Sequence, residues 1–378
     1  MSYIKQKAVT LFAKADIKIN GNRDWDIQVH DERFYSRLLF HGSIALGEAY
    51  VDGWWDCKDV EQFIYRVLHY RLVNSKTYEL QHFGASFLKN TRFIWKKLIN
   101  PQSIRRAAKD VRYHYNLGND LFAATLDETM TYTCGYFKDT NDLKQAQIDK
   151  MKLVCQKLNL QKGMRVLDIG CGWGSLAKYM ADNYEVTVVG LTLSEEQKTF
   201  ADNQCTNSDV TIELCDYRNH NGKYDRIVSI EMIEHVGAKN LKSFMQKADK
   251  NLNEDGLMLL QFDGKSESIN WNYSWIEKYV FPGTVTPSMQ QIAKSSENLF
   301  FLVDWHDFTK DYHLTMNCWH ENFLKNWDNI KDNYDERFFR LWKFYLTCAP
   351  ATALVNTQHL WQIVLQKNNS EKQYERTI

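Results

Sequence analysis

The glycine-rich segment VLDIGCGWGSLAKYM, residues 166–180, constrains the fold more than any other part of this 378-residue chain. An apolar run leads into three glycines at alternate positions, and an amphipathic run follows them. This order predicts a strand, a tight loop and a helix, in which the glycines let the backbone approach a ligand closely. A tight turn that only packs the helix on the sheet is the structural alternative.

The spacing of the loop argues against the two commonest nucleotide-binding motifs. A dinucleotide fingerprint needs GxGxxG and an acidic residue after the second strand. Here Gly174 comes one position early, and the second predicted strand ends in Gly190-Leu191-Thr192. A Walker loop needs a Lys-Ser or Lys-Thr pair, which does not follow the glycines. Asp168, just before the loop, can accept a hydrogen bond from the ammonium group of an amino acid. We therefore interpret the loop as a site for S-adenosylmethionine.

Short strand-like runs alternate with helical patterns over the later part of the chain. The runs predicted as strands are 165–169, 185–191, 210–215, 224–230, 256–262, 301–305 and 361–366. This alternation predicts an α/β fold with a doubly wound parallel sheet and a late antiparallel strand. Ligands of such sheets bind at the carboxyl ends of the strands, where the glycine loop stands.

The length of the chain predicts two domains, or one large domain with an extension, and we interpret it as two domains. Asn100-Pro101 is the best boundary, because proline ends the helical pattern before it. Residues 1–100 are predicted to form a smaller, mixed and mostly helical domain, and residues 101–378 the sheet domain. Within the sheet domain, residues 265–299 depart from the strand–helix rhythm and carry several aromatic side chains.

The charge balance limits the class of partner. The chain has 47 basic and 47 acidic side chains, which argues against a nucleic-acid partner held by a general basic field. A local basic run from Lys89 to Arg112 is either a solvated helix face or a surface for anionic phospholipid. No signal core, membrane-length run, CxxC pair or zinc-type Cys/His spacing occurs. We therefore expect a cytosolic protein with reduced thiols, no metal and at most peripheral membrane contact.

Five further segments carry a family resemblance: HYNLGND (114–120), MTYTCGYF (130–137), GLTLSEEQ (190–197), SIEMIEHVG (229–237) and FPGTVTPS (281–288). Together with LDIGCGWGSLA they resemble the cyclopropane-fatty-acyl-phospholipid synthases, relatives of the mycolic acid cyclopropane synthases. The segment LGEAYVDGWWDC (46–57) extends the resemblance into the N-terminal domain and is similar to the phospholipid-acting members.

The resemblance implies both a fold and an activity. The fold is the Rossmann-like, seven-stranded sheet of S-adenosylmethionine-dependent methyltransferases. The activity is transfer of a methylene group from S-adenosylmethionine to the cis double bond of an unsaturated acyl chain in a membrane phospholipid. A carbocation precedes closure of the cyclopropane ring. The resemblance further implies a cytoplasmic, peripherally membrane-associated homodimer. Residues 1–100 would then serve lipid docking or dimerisation, and residues 265–299 would cap the acyl tunnel.

The cofactor contacts of the family map onto defined positions of this chain. From the methionine end to the adenine, the resemblance implies Tyr115, Tyr132, Thr133, Gly170, Gly172, Gly174, Thr192, Leu193, Gln197, Asp216 and Tyr217. Thr133 stands where many members have serine. Contacts of Thr192, Leu193 and Gln197 with the ribose would explain the missing acidic residue after the second strand.

In this family a bound bicarbonate serves as the base. Its contacts correspond to Cys134, Glu234, Gln261, Asp263 and Tyr312. Cys134, Glu234 and Tyr312 match the family pattern, but QFDG replaces the usual HTIG. Gln261 can donate a hydrogen bond to an anion, although it cannot shuttle a proton at neutral pH. Asp263 would repel the anion if its side chain faced the site; if it faced away, the backbone contact could survive.

Glu231 is a further departure, because many bacterial members have glycine there. Carboxylates close together raise the pKa of one of them. One hypothesis is that Glu231 or Asp263 assists or replaces bicarbonate as the base. The alternative is that both are structural acids with hydrogen bonds near a loop.

Aromatic residues make up 14% of the chain, and their faces tolerate a cation. Candidates for such a wall are Tyr132, Tyr136, Phe137, Tyr273, Trp275 and Tyr312. Three other functions stay open: a methyl- or methylene-branched product, N-methylation of a small amine, and non-catalytic binding of S-adenosylmethionine or lipid. The retained Cys134, Glu234 and Tyr312 argue against the last of these.

Overall fold

The computed structural model describes residues 3–73, 117–268 and 274–376. Within them, residues 3–73, 274–280 and 316–357 form one compact unit, and residues 117–268, 281–315 and 358–376 form a second. Several sequence predictions lie outside the described residues. They are the boundary at Asn100-Pro101, the basic run from Lys89 to Arg112, Tyr115 and Tyr273.

The elements are numbered in chain order within the described residues. The helices are α1 (Tyr3–Lys14), α2 (Arg33–His41), α3 (Ser43–Val51), α4 (Val60–Val73), α5 (Asn119–Thr125), α6 (Leu143–Lys157), α7 (Ser175–Tyr184), α8 (Glu195–Gln204), α9 (Leu241–Asn251), α10 (Ser274–Tyr279), α11 (Met289–Ser296), α12 (Thr309–Ile330) and α13 (Glu336–Leu354). The strands are β1 (Gln28–Val29), β2 (Trp55–Asp56), β3 (Arg165–Ile169), β4 (Thr187–Thr192), β5 (Val210–Leu214), β6 (Tyr224–Ile230), β7 (Leu252–Gly264), β8 (Phe300–Asp307) and β9 (His359–Lys367).

The second unit is built on a seven-stranded sheet with the order β5-β4-β3-β6-β7-β9-β8. Strands β3 to β7 pair in parallel, and β9 is antiparallel to both β7 and β8. The predicted α/β fold with a late antiparallel strand is confirmed. The order reverses direction between β3 and β6, so the loops after these two strands open at the switch point, where ligands of such sheets bind.

The central strands read as apolar runs because helices cover both faces of the sheet. Ile227 and Leu260 contribute to one buried core cluster, whereas their neighbours Val228 and Leu259 contribute to the cluster on the opposite face. Successive side chains of a strand point to opposite faces. The two cores therefore fix β6 and β7 side by side, with Ile230 paired to Gln261 at the end that carries the site.

The first unit joins the N-terminal helices to two later segments that the sequence analysis assigned to the sheet domain. Helix α10 is held by Glu48, whose Oε1 accepts hydrogen bonds from Lys278 Nζ at 2.7 Å and Tyr279 OH at 2.8 Å. In α13, Arg340 donates to the Tyr50 carbonyl at 2.7 Å and to Asp56 Oδ1 at 2.8 Å. These contacts explain why residues 274–280 and 316–357 pack with the N-terminal helices.

Across the parts of the chain that the structure describes, no helix has the length and apolar character required to cross a bilayer.

Candidate active site

The glycine loop connects β3 to α7 and takes the predicted strand–loop–helix form. Gly172 has a φ of +55°, and a Cβ built on it would meet no atom within 4 Å, so this glycine borders open space. Gly174 has a φ of +90°, and its added Cβ would lie 2.9 Å from Ala201 Cβ of α8. The loop thus combines both readings of the sequence: one glycine leaves room for a ligand, and another lets helix pack on helix.

Residues predicted to contact the cofactor surround a single cavity at the carboxyl ends of β3, β4 and β6. Its lining includes Tyr132, Thr133, Asp168, Gly170, Gly172, Thr192, Leu193, Gln197, Asp216 and Tyr217. Of the predicted set, Gly174 lies in the loop without lining the cavity, and Tyr115 lies outside the described residues. The cradle at Gly172 and the polar groups around it suit S-adenosylmethionine.

One end of the cavity carries two buried groups of opposite charge. Burial raises the pKa of Asp168 to about 7, and the charge of Lys150 opposes this rise. Burial lowers the pKa of Lys150 to about 8, although Glu231, Asp127 and Asp168 favour its charged form. Lys150 Nζ donates a hydrogen bond to Thr133 Oγ1 at 2.6 Å. An acid and an ammonium in this position complement the zwitterionic end of an amino acid.

Sequence reasoning missed Lys150, although a signal was present. Lys150 is only 1% exposed and lies on the same face of α6 as Ala146 and Val154, which are four residues away on either side and fully buried. A lysine in the apolar stripe of a helix is rarely buried without a partner or a function. The pattern indicates an inward-facing cation, but not the acids that it meets.

The other end of the cavity is formed by the loops after β4 and β5. Thr192 Oγ1 donates to Gln197 Oε1 at 2.9 Å, which orients the glutamine at the start of α8. Both carboxylate oxygens of Asp216 accept hydrogen bonds from Arg218, at 2.8 Å from Nε and 2.6 Å from an Nη. Tyr217 packs edge-on against Phe244. These contacts orient the side chains at the predicted ribose and adenine positions.

Glu231 follows β6 and also lines the cavity. Its Oε1 accepts two hydrogen bonds at 2.9 Å, from the Cys134 backbone nitrogen and from Gln261 Nε2. Gln261 is fully buried and in turn accepts a hydrogen bond at 2.9 Å from Gln362 Nε2, its cross-strand neighbour on β9. One hydrogen-bond network therefore joins Cys134, which matches the family pattern, to Glu231 and Gln261, which depart from it.

Glu234 and Asp263 form a second acidic pair behind this network. Glu234 Oε1 accepts a hydrogen bond at 2.6 Å from the Asp263 backbone nitrogen, and Glu234 Oε2 is buried with no hydrogen-bond partner among the described residues. Burial, and then the Asp263 carboxylate, raises the pKa of Glu234 well above its ordinary value. Burial and Glu231 raise the pKa of Asp263, while a hydrogen bond from Gln358 and the charge of Lys265 lower it.

Cys134 and Tyr312 are both buried, and neither of them lines the cofactor cavity. The Cys134 side chain is fully buried, and its Sγ accepts a hydrogen bond from Thr315 Oγ1 at 3.6 Å. Burial raises the pKa of the Cys134 thiol well above its ordinary value, so it is a thiol and not a thiolate nucleophile. Tyr312 is buried near the start of α12.

The aromatic candidates divide between several places. Tyr132 lines the cavity, contacts Phe122 edge-on at 5.2 Å and stacks with Phe281 at 6.5 Å. Tyr136 lies 5.3 Å from the Phe308 ring. Trp275 instead belongs to the first unit, where it packs 4.9 Å from the Phe344 ring. Among the candidates that the structure describes, Tyr132 lines the cofactor cavity, and Tyr136, Phe137, Trp275 and Tyr312 do not.

Residues 102–363 match the family model for mycolic acid cyclopropane synthetase. The chain belongs to this family. It is 46% identical over 358 residues to the cyclopropane-fatty-acyl-phospholipid synthase of Escherichia coli K12, covering 94% of this chain and 92% of that protein. It is also 32% identical to the sphingolipid C9-methyltransferase of Komagataella phaffii, over 77% of this chain and 65% of that protein.

A solved structure supports the same relationship. Mycolic acid cyclopropane synthase CmaA1, in a complex with SAH and CTAB, aligns with a TM-score of 0.65 and 30% identity, covering 69% of this chain and 98% of that one. SAH, which that relative binds, is S-adenosylhomocysteine, the demethylated form of S-adenosylmethionine. The predicted family resemblance and the predicted methyltransferase fold are both confirmed.

Proposed function

We propose that this protein transfers a methylene group from S-adenosylmethionine to the cis double bond of an unsaturated phospholipid acyl chain, forming a cyclopropane ring. The observation that carries the proposal is the cavity after β3, β4 and β6 in a chain of this family that is 46% identical, nearly end to end, to a cyclopropane-fatty-acyl-phospholipid synthase.

The cavity offers groups for each part of S-adenosylmethionine. Asp168 would accept a hydrogen bond from the amino group, and Lys150 would attract the carboxylate at the same end; both line the cavity. Thr192, Leu193 and Gln197 would contact the ribose, and Asp216 with Tyr217 would flank the adenine; these residues line the cavity as well. When bound, the cofactor supplies an electrophilic sulfonium methyl group. The chain's own contribution is to position the alkene, exclude water and tolerate a positive charge on the acyl chain.

The chemistry also explains the aromatic and acidic walls. The alkene electron pair forms a bond to the methyl carbon while the methyl–sulfur bond breaks. The electron pair of the broken bond stays on the sulfur of the departing S-adenosylhomocysteine, and a positive charge remains on the other alkene carbon. Tyr132 lines the cavity, and its ring would stabilise this charge through its π face. A base then removes a proton from the new methyl group, and the C–H electron pair closes the ring.

The acyl substrate implies work at a lipid surface. We propose that the protein is cytoplasmic, associates peripherally with the bilayer and forms a homodimer. Residues 1–100 would serve docking or dimerisation, and residues 265–299 would cap the acyl tunnel. Flotation with phospholipid vesicles tests docking, and sedimentation equilibrium tests the dimer. Protein that stays at the bottom of the gradient with unsaturated anionic vesicles would contradict membrane docking. A protein that is monomeric at micromolar concentration would contradict the homodimer.

Product analysis tests the proposed reaction. Purified protein is incubated with S-adenosylmethionine labelled in the methyl group and vesicles of a cis-unsaturated phospholipid, and acyl products are identified by mass spectrometry and proton NMR. High-field cyclopropane signals are expected. Vesicles of the saturated phospholipid are the matched control and should take up no label.

A methyl-branched product is the second candidate. It is favoured by the similarity to a sphingolipid C9-methyltransferase and by the altered acidic region around Glu231. The same NMR spectrum separates the two, since a branch gives a methyl doublet or an exomethylene signal in place of ring protons. The absence of label in lipid, with an active positive-control enzyme, would contradict both.

A further inference from the structure

Two hydrogen-bond donors converge on one point beside the cofactor cavity. The Cys134 backbone nitrogen and Gln261 Nε2 each lie 2.9 Å from the same oxygen, Glu231 Oε1. Converging donors of this kind are what a protein uses to hold a small anion. Here the anion is a side chain of the chain itself.

A bicarbonate ion does not fit this arrangement. The Cys134 and Gln261 donors that it would use are taken by Glu231, and the Asp263 backbone nitrogen is taken by Glu234 Oε1 at 2.6 Å. The Asp263 and Glu231 carboxylates both raise the pKa of Glu234, and the Glu231 carboxylate also raises that of Asp263. An additional anion would add negative charge to a buried acidic cluster, and these three donors already hold carboxylate oxygens.

We infer that the Glu231 carboxylate occupies the place of a bound bicarbonate and is the base that accepts the proton from the new methyl group. The inference rests on the proposed function. The C–H electron pair of the methyl group becomes the last ring bond to the cationic carbon, and the proton passes to Glu231, which becomes a neutral carboxylic acid. No co-reactant is required.

The position of Glu231 is fixed by its neighbours on two sides. Gln261 contacts it twice: its carbonyl oxygen accepts the Glu231 backbone N–H at 2.7 Å, and its side chain donates to Oε1. The hydrogen bond from Gln362 to Gln261 Oε1 turns the amide so that its NH2 group faces Glu231. Glu231 has a φ of +49°, in the left-handed region that non-glycine residues rarely adopt. Such conformations persist where the surrounding contacts demand them.

The other acids of the cluster are less well placed. Glu231 lines the cofactor cavity, whereas Glu234 and Asp263 do not. Glu234 Oε1 holds the β7 backbone through the Asp263 amide, and the Asp263 carboxylate interacts with Gln358 and Lys265. These two residues act as positioning residues. Lys150 favours the ionised form of Glu231, while burial raises the pKa of Glu231 and so makes it a stronger base.

The test compares the bicarbonate dependence of the wild-type protein with that of Glu231→Gln and Glu231→Gly. Rates and products are measured with labelled S-adenosylmethionine and unsaturated vesicles, in CO2-free buffer and after bicarbonate is added. Glu254→Gln, an exposed acid outside the site, is the matched control. We expect wild type and Glu254→Gln to be insensitive to bicarbonate. Glu231→Gln should lose on the order of 100-fold in rate, the typical contribution of a general base.

Glu231→Gly supplies a result that a structural role would not give. Its empty site exposes the Cys134 and Gln261 donors, so bicarbonate or formate should restore activity to this variant but not to Glu231→Gln. The NMR line of 13C-labelled bicarbonate should broaden with Glu231→Gly and stay sharp with wild type. Calorimetric binding of S-adenosylhomocysteine, expected within about threefold of wild type in all variants, shows that they are folded.

Two outcomes would overturn the inference alone: a wild-type rate that falls in CO2-free buffer and recovers with bicarbonate, or a Glu231→Gln rate close to wild type. Wild-type protein that transfers no label to lipid at any bicarbonate concentration would instead overturn the proposed function.

Discussion

Replacing Lys150 by methionine should stabilise the protein while weakening its cofactor site. Burial lowers the pKa of Lys150 from 10.5 to about 8, and the residue is 1% exposed, so solvent screens this effect little. At 1.36 kcal/mol per pH unit, the buried ammonium costs about 3 kcal/mol of folding free energy at neutral pH. Loss of the hydrogen bond to Thr133 offsets about 1 kcal/mol. We expect Lys150→Met to gain about 2 kcal/mol in unfolding free energy.

The pH dependence of this gain follows from the direction of the shift. Below pH 8 the lysine is protonated in both the folded and the unfolded chain, so the full penalty is present. As the pH rises from 8 towards 10.5, the folded protein gives up its proton first, and the penalty disappears. Urea unfolding at pH 7 and pH 10 measures both values. The stability difference between wild type and variant should be largest at pH 7 and should shrink at pH 10.

The effect of Lys150→Met on the cofactor site is measured as the affinity for S-adenosylhomocysteine. Lys150 lines the cavity beside Asp168, so its removal should raise the Kd for S-adenosylhomocysteine at least about tenfold, the loss of one charge-assisted hydrogen bond. Lys152→Met, two residues along the same helix and exposed, is the matched control and should change neither quantity. A Lys150→Met protein less stable than wild type at pH 7, or one that binds S-adenosylhomocysteine normally, would refute the reasoning.

Three further perturbations separate ligand contact from packing. Gly172→Ala should abolish S-adenosylhomocysteine binding, because its methyl group enters open space, and should lower the melting temperature only through the strain of its left-handed φ. Gly174→Ala has the same kind of strain and in addition a clash with α8, so it should lower the melting temperature more. Equal effects on melting would contradict this assignment. Asp168, with a pKa raised to about 7, should bind the ligand's ammonium group better as its carboxylate ionises, so affinity measured by calorimetry should rise from pH 6 to pH 8, and Asp168→Asn should flatten that profile. Gln362→Leu leaves Gln261 Oε1 buried without the donor from Gln362, so the free energy of unfolding measured in urea should fall by about 1–3 kcal/mol. The variant should also turn over more slowly. Unchanged turnover would show that Gln362 does not orient the base.

The sheet and the cofactor cavity could be predicted because local sequence determines them. Apolar runs buried on both faces indicate parallel strands, and the glycine spacing identifies the loop at the switch point. The association of residues 274–280 and 316–357 with the N-terminal helices could not be predicted in this way. Periodicity shows which face of a helix is buried, but the partner is decided by individual long-range contacts such as Arg340 with Tyr50 and Asp56.

The acidic cluster could be predicted from the sequence only in part. Strands β6 and β7 are neighbours in the sheet, and Ile230 pairs with Gln261, so the sequence and the topology together bring Glu231 close to Gln261. The direction of the Glu231 side chain could not be predicted, because it depends on a left-handed backbone that the sequence does not specify. For the same reason the sequence left two carboxylates as candidate bases, and the network of contacts distinguishes Glu231 from Asp263.

The three departures from the family pattern, Glu231, Gln261 and Asp263, can then be understood together as parts of one site. An aspartate carboxylate would repel a bound anion beside it, and a glutamine cannot relay a proton. With Glu231 in the anion's place, Gln261 needs only to donate a hydrogen bond, and Asp263 needs only its backbone amide. A base that is part of the chain does not have to be captured from solution for each turnover, so its effective concentration is fixed by the fold. The rate of ring closure in this protein should therefore follow the ionisation of one buried carboxylate, and not the amount of dissolved bicarbonate.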